Sequence, residues 1–221
     1  MRAAIFIEPD GILATIGRVT PGYSTDFYDL RLEALAPLLR LKAAGFLLIA
    51  EGNESGLLQA GYTRTDLDRM HDSLRRNFSL DDMLVCRHED GDLCPCRKPR
   101  PGLLTEAAFK WHLDLDRSFV IGNRWQDAET ARIAGCVSLL IRSPFIGRGH
   151  HDYVLSDLPA VVDKILELKD FEPERPPYKW LALATSPGGY PGMTLDLEIC
   201  EEQEHCPFDG REEEQTSSRG N

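Results

Sequence analysis

A chain of 221 residues with 42% hydrophobic and 28% charged side chains has the balance of an ordinary globular protein, long enough to bury a full core. No apolar run approaches the roughly 20 residues needed to cross a bilayer, so no membrane partner is expected. The formal charge of −11 gathers towards the end, where residues 172–221 hold 11 acidic and 4 basic side chains; no stretch offers the basic surface that nucleic acid requires.

In chain order, residues 3–7 (AAIFI) predict a buried strand, apolar throughout, that runs into the acidic loop EPDG. This run is too short for the apolar region of a secretory leader, so a cytoplasmic location is expected, with cysteines free or metal-bound. Residues 31–44 space Leu32, Leu35, Leu38, Leu39 and Leu41 at helical intervals, and Gly45 follows as a stop. A second apolar run, 46–50, ends in the polar stretch EGNESG, read as a loop. Residues 65–78 predict an amphipathic helix with Thr65 and Asp66 as cap candidates. A short strand at 83–85 leads into a cysteine-rich loop. Helix 101–112, strand 118–121, the segment GNRWQD, helix 126–134, strand 137–141, strand 152–155 and helix 158–168 complete the series.

Strands alternating with helices of this length predict an α/β, Rossmann-like parallel sheet with helices on both faces. Ligands bind such sheets beyond the carboxyl ends of the strands, which places EPDG, EGNESG, CRKP and GNRWQD around one pocket. The expected domain is 1–171. Residues 172–221 read as an acidic, largely disordered tail, a place for a protein partner, with YKWLALAT as a segment that could dock on the body.

The stretch CRHEDGDLCPC spaces Cys86, His88, Cys94 and Cys96 within eleven residues. Three thiols and one imidazole are the donor set of a tetrahedral zinc site. Four protein ligands leave no open position, so this zinc would brace the loop. Cys136, ahead of a strand, reads as a small core residue, and Cys200 and Cys206 carry no pattern. His71, His112, His150 and His151 show no ligand spacing to one another and read as surface or packing residues; Trp111, Trp125 and Trp180 read as packing residues, with Trp125, in the fourth loop, also able to reshape the pocket.

Four blocks in this order resemble the haloacid dehalogenase superfamily: EPDG, NESG, the cysteine loop ending in CRKPRPG, and GNRWQD. Within it the chain is similar to the zinc-bearing branch of heptose bisphosphate and histidinol phosphatases, over about residues 3–168. The resemblance implies hydrolysis of a small phosphorylated metabolite, with an aspartyl nucleophile, an acid/base two residues on and a magnesium ion. It puts Glu8 at the nucleophile, Asp10 at the acid/base and Lys98 at the phosphate-holding lysine. Asn53, Ser55, Arg97 and Arg124 fall at substrate contacts. Glu8, Asp10, Asn123 and Asp127 fall around magnesium.

Three of these positions depart from the family's pattern. Glu8 stands for the nucleophilic aspartate, Gly52 for a threonine, and Asn123 for a magnesium-binding aspartate; Ile12 also replaces a hydroxyl residue. A misplacement near 1 Å can cost on the order of 100-fold in rate. A lost hydroxyl donor to the transferring group is worth about 2.7 to 4 kcal/mol, and Asn123 weakens the hold on magnesium. Two readings follow: a phosphatase of reduced or lost turnover, or a non-catalytic member of the same fold that binds a phosphorylated ligand or a protein.

Overall fold

The computed structural model describes residues 2–16, 28–59 and 61–169. The expected tail, Trp180, Cys200 and Cys206 lie outside the described residues. The chain begins with β1 (Ala4–Ile7), β2 (Ala14–Ile16) and β3 (Tyr28–Leu30), then α1 (Leu35–Ala43), β4 (Leu47–Asn53), α2 (Ser55–Gln59), α3 (Arg64–Phe78) and β5 (Asp82–Cys86). It continues with α4 (Gly102–Trp111), β6 (Phe119–Gly122), α5 (Trp125–Ala134), β7 (Val137–Ile141), β8 (Tyr153–Leu155) and α6 (Leu158–Leu168).

Six strands form a parallel sheet in the order β5-β4-β1-β6-β7-β8. The continuous apolar run of β1 is explained by burial on both faces. Ile5 and Ile7 join Leu38 and Leu41 of α1, Met70 of α3 and Val161 of α6 on one side. Ala4 and Phe6 join Leu104 of α4 and Ala131 of α5 on the other. In the sheet β1 is flanked by β4 on one side and by β6, later in the chain, on the other, so the switch in strand order falls at its carboxyl end.

Several expectations change. The stretch read as helix 31–44 opens with a 3-10 turn, Leu32–Ala34, before α1. That tighter turn resets the helical phase, so Leu38 and Leu41 are buried while Leu32 and Leu39 face outward. The cap of α3 is Thr63, whose side chain accepts from Asp66 N while Asp66 accepts from Thr63 N. Residues 51–53, read as loop, are strand, because β5 continues the ladder to the Asn53–Cys86 pairing. Ser55–Gln59 forms a short helix, and β2 and β3 pair as an antiparallel arm that the pattern of the chain did not announce.

Candidate active site

Register assembles the centre of the site. Ile7 lies beside Ala50 of β4 and Ile121 of β6, so the next residues, Glu8, Glu51 and Gly122, come side by side. Strand alternation sends their side chains towards the face covered by α4 and α5. The loop before α4 brings Lys98 there, and α5 brings Asp127. A Cβ at Gly122 would lie 2.3 Å from the Cβ of Asp127, so only glycine lets that aspartate settle over the strand.

Lys98 Nζ donates to Glu8 Oε2 at 2.8 Å and to Asp127 Oδ1 at 2.7 Å. A third carboxylate, Glu51, puts Oε1 2.7 Å from the same ammonium as an ion pair without hydrogen-bonding geometry, and its Oε2 has no partner. Glu51 is fully buried and Lys98 is 7% exposed. Burial pushes Glu51 up to about 8, against the pull of Lys98 in the other direction. Burial also raises Glu8, with Lys98 opposing it. For Lys98 burial acts to lower the pKa, but Asp127, Glu51 and Glu8 outweigh it and hold the ammonium charged.

In front of this cluster, Asp10 pairs through Oδ2 with an Arg124 guanidinium nitrogen at 2.7 Å. Asn123 Nδ2 donates to the Asp10 carbonyl at 2.8 Å, leaving Asn123 Oδ1 buried and without a partner. Asn53 Oδ1 accepts from Lys98 N at 3.1 Å, fixing the loop that carries the lysine. Arg97 donates to Ser55 Oγ at 2.7 Å and to His88 O at 2.9 Å, tying the second loop to the cysteine loop. A cavity of about 350 Å³ opens here, bounded by Asp10, Lys98, Arg124 and Asp127, with Met83 and Val85 on its apolar side. Of the predicted residues, Glu8, Asp10, Asn53, Lys98, Arg124 and Asp127 line this cavity, whereas Ser55, Arg97 and Asn123 are not part of its lining.

Two acids were not singled out from the sequence. Glu51 was assigned to a loop, although it continues the inward alternation of Leu47 and Ile49; an acid in that phase is the signal that marks it. Glu54 borders the cavity, buried, and pairs with His71 Nε2 on α3, with Arg87 Nε at 3.8 Å. His71, read from the sequence as a surface or packing residue, is held by that carboxylate.

Cys86, His88, Cys94 and Cys96 bring four donor atoms within 4.8 Å of one another. The Cys86–Cys94 and Cys86–Cys96 sulfurs are 3.6 and 3.4 Å apart, and His88 Nδ1 is 3.2 Å from Cys96 Sγ. Ligands at Zn–S lengths in a tetrahedron are spaced by about 3.8 Å, so the set fits zinc. Burial, with the hydrogen bond that the Cys96 thiol donates to Cys86 Sγ, pushes Cys96 up to about 12, a crowding that a bound cation would relieve. The remaining described thiol, Cys136, is a buried core residue as expected.

Comparison with known proteins identifies the family. The HAD-hydrolase-like family model matches residues 95–168. The chain is 32% identical over 187 residues to the D-glycero-beta-D-manno-heptose-1,7-bisphosphate 7-phosphatase of Pasteurella multocida, covering 73% of this chain and 97% of that one. It is 32% identical over 132 residues to the enzyme of that name from Helicobacter pylori J99, covering 56% and 74%. The chain belongs to the haloacid dehalogenase superfamily, in the heptose bisphosphate phosphatase branch. A solved member, the D,D-heptose 1,7-bisphosphate phosphatase of B. bronchiseptica complexed with magnesium and phosphate, superposes with a TM-score of 0.62 at 26% identity, over 76% of this chain and 99% of that one.

Against that family the departures take structural form. The longer side chain of Glu8 reaches over Gly52, where a Cβ would lie 3.4 Å from Glu8 Oε1. The residues at the magnesium positions do not fit the ion as they stand. Glu8 is held by Lys98, Asp10 by Arg124, and the Asp10 carbonyl by the amide of Asn123. Among the described residues the only group of three or more acidic, His or Cys donors within ligand distance is the cysteine cluster. One neutral oxygen, Asn123 Oδ1, is a free acceptor. No step through magnesium follows from this arrangement.

Proposed function

We propose that this chain is a phosphatase-fold protein that binds a small phosphorylated metabolite, a sugar or alcohol phosphate, in the 350 Å³ cavity and turns it over slowly or not at all. The observation that supports this most is the state of Glu8. The carboxylate at the nucleophile position is tied to Lys98 and lies above Gly52, where the family's hydroxyl is missing. The acid/base position, Asp10, is intact but clamped by Arg124. Binding and turnover thus rest on different groups. Cations that meet phosphate oxygens, Lys98 and Arg124, border the cavity, whereas the groups serving the transferring phosphoryl are altered.

The test is a paired measurement on the purified full chain. Phosphate release from heptose 1,7-bisphosphate and from histidinol phosphate should stay below the ordinary enzyme range of about 1 to 1,000 per second. Inorganic phosphate should bind, and Lys98→Ala should weaken that binding. Turnover within that range, abolished by Glu8→Ala, would make Glu8 a working nucleophile and sink the proposal.

A further inference from the structure

We propose that Glu51 competes with the ligand's phosphate for Lys98 and so sets the affinity of the site for phosphoryl groups. The inference rests on the reading that the cavity takes a phosphorylated ligand.

It starts from the capacity of an ammonium, which has three N–H donors. Around Lys98 Nζ stand three carboxylate oxygens, from Glu8, Asp127 and Glu51, all within 2.8 Å. Two donors go to Glu8 and Asp127, and Glu51 Oε1 stands 2.7 Å from the ammonium without taking the third, so a phosphate must compete with all three for that one charge. The three are not equivalent. Glu8 and Asp127 border the cavity together with Lys98, so they stand where the ligand would arrive. Glu51 is fully buried on β4, and its attraction draws the ammonium inward.

The charge balance has the same sign. Once Glu51 is ionised, Glu8, Glu51 and Asp127 crowd one cation, and a phosphate entering the cavity meets whatever negative charge Lys98 fails to offset. Glu51 is also poorly housed for a structural residue. Its Oε1 meets the lysine off hydrogen-bonding geometry and its Oε2 has no partner, a condition that costs stability for a buried polar group. A side chain retained only for packing at the end of Leu47–Ile49 would be better served by an apolar residue. Glu51 is a positioning residue in this account, acting on the ligand through Lys98.

The experiment is a double-mutant cycle read by calorimetric titration with inorganic phosphate, on the full chain throughout and at a pH above the value of about 8 to which burial raises Glu51, so that its carboxylate is ionised. Glu51→Met keeps an unbranched side chain of similar reach and removes the acceptor; Glu51→Leu is the second substitution should the first pack badly. Each is made alone and with Lys98→Ala, and circular dichroism confirms folding. Phosphate should bind about tenfold more tightly, or better, to the Glu51 variants, and the gain should vanish with Lys98→Ala. A residue that only supports the fold would lose affinity or leave it unchanged. Unchanged or weaker binding to folded Glu51 variants, with Lys98→Ala still abolishing wild-type binding, overturns the competition and leaves the phosphate reading standing. A gain that persists without Lys98 also overturns it, since relief of general repulsion would then suffice. If neither the wild type nor any variant binds phosphate, both readings fail.

Discussion

Removing the buried acid should change how stability depends on pH. Glu51 is fully buried and its pKa is raised from 4.5 to about 8, burial being the larger cause and Lys98 opposing it. The folded protein therefore holds a proton that the unfolded chain releases near pH 4.5. The stabilisation this gives is complete below about 4.5 and is lost as pH rises through about 8. At 1.36 kcal/mol per unit the full shift corresponds to roughly 5 kcal/mol. Glu8, itself raised by burial beside the same Lys98, shares the change with Glu51, so about 2 to 3 kcal/mol is the working figure. Glu51→Met has no proton to lose there. Urea unfolding of both proteins at pH 5.5, 7 and 8.5, followed by circular dichroism, gives the difference directly. Contributions from groups away from Glu51 are common to both proteins and cancel. The methionine variant should gain on the wild type by that amount between pH 5.5 and 8.5. A difference that stays flat with pH would mean that Glu51 is ionised throughout, and the reasoning from burial would be wrong.

Metal analysis should find about one zinc per chain, and Cys94→Ser should lose it together with about 3 kcal/mol or more of stability, a fall of roughly 6 to 12 °C in melting midpoint. A variant that keeps both zinc and midpoint would remove Cys94 from the ligand set. Gly122→Ala puts a methyl group 2.3 Å from the Cβ of Asp127 and should cost about 1 to 3 kcal/mol in urea unfolding; a neutral substitution would show that Asp127 does not sit over that strand.

The parallel sheet was legible because its evidence is local. Strand 137–141 and helix 158–168 carry their own periodicity and punctuation, and the structure returns both with those bounds. The zinc donors were legible for the same reason, being confined to eleven residues. What escaped depends on partners distant in sequence. The polar letters of EGN read as loop until β5 is known to continue the ladder beside them, and with that ladder Glu51 becomes a buried acid. The arm of β2 and β3 is similar: each strand has three residues, and its order comes from the pairing of Ala14–Ile16 with Tyr28–Leu30. The cap at Thr63 was missed because its partner is the shorter Asp66, where the familiar capping pattern carries Glu or Gln. Motif matching located Lys98 and Asp127 but could not reveal how many anions the lysine serves, since that number is a property of the assembled strand ends.

The same strand ends make two of the departures from the family a coupled pair. Glu8 is one methylene longer than aspartate, extending its carboxylate by about 1.5 Å, and the room for it is the space above Gly52. A Cβ at position 52 would stand 3.4 Å from Glu8 Oε1, 3.8 Å from Oε2 and 3.5 Å from Pro9 Cδ, so a bare methyl group just fits. Threonine adds two further heavy atoms beyond that Cβ, and Glu8 and Pro9 bound the space they need. Gly52→Thr in the natural protein should therefore cost about 1 to 3 kcal/mol, the usual penalty for overpacking. In a Glu8→Asp background the carboxylate withdraws and the same substitution should cost less than about 1 kcal/mol. The gain in strand propensity from glycine to threonine is common to both backgrounds and cancels. Urea unfolding of the four proteins gives the coupling, expected at about 1 to 2 kcal/mol and favouring the double variant. Additivity within about 0.5 kcal/mol would refute the pairing and make Glu8 and Gly52 independent losses. If the coupling is found, restoring either residue alone damages the site that the other has reshaped, and single reversions will underreport what the family's chemistry requires of this chain.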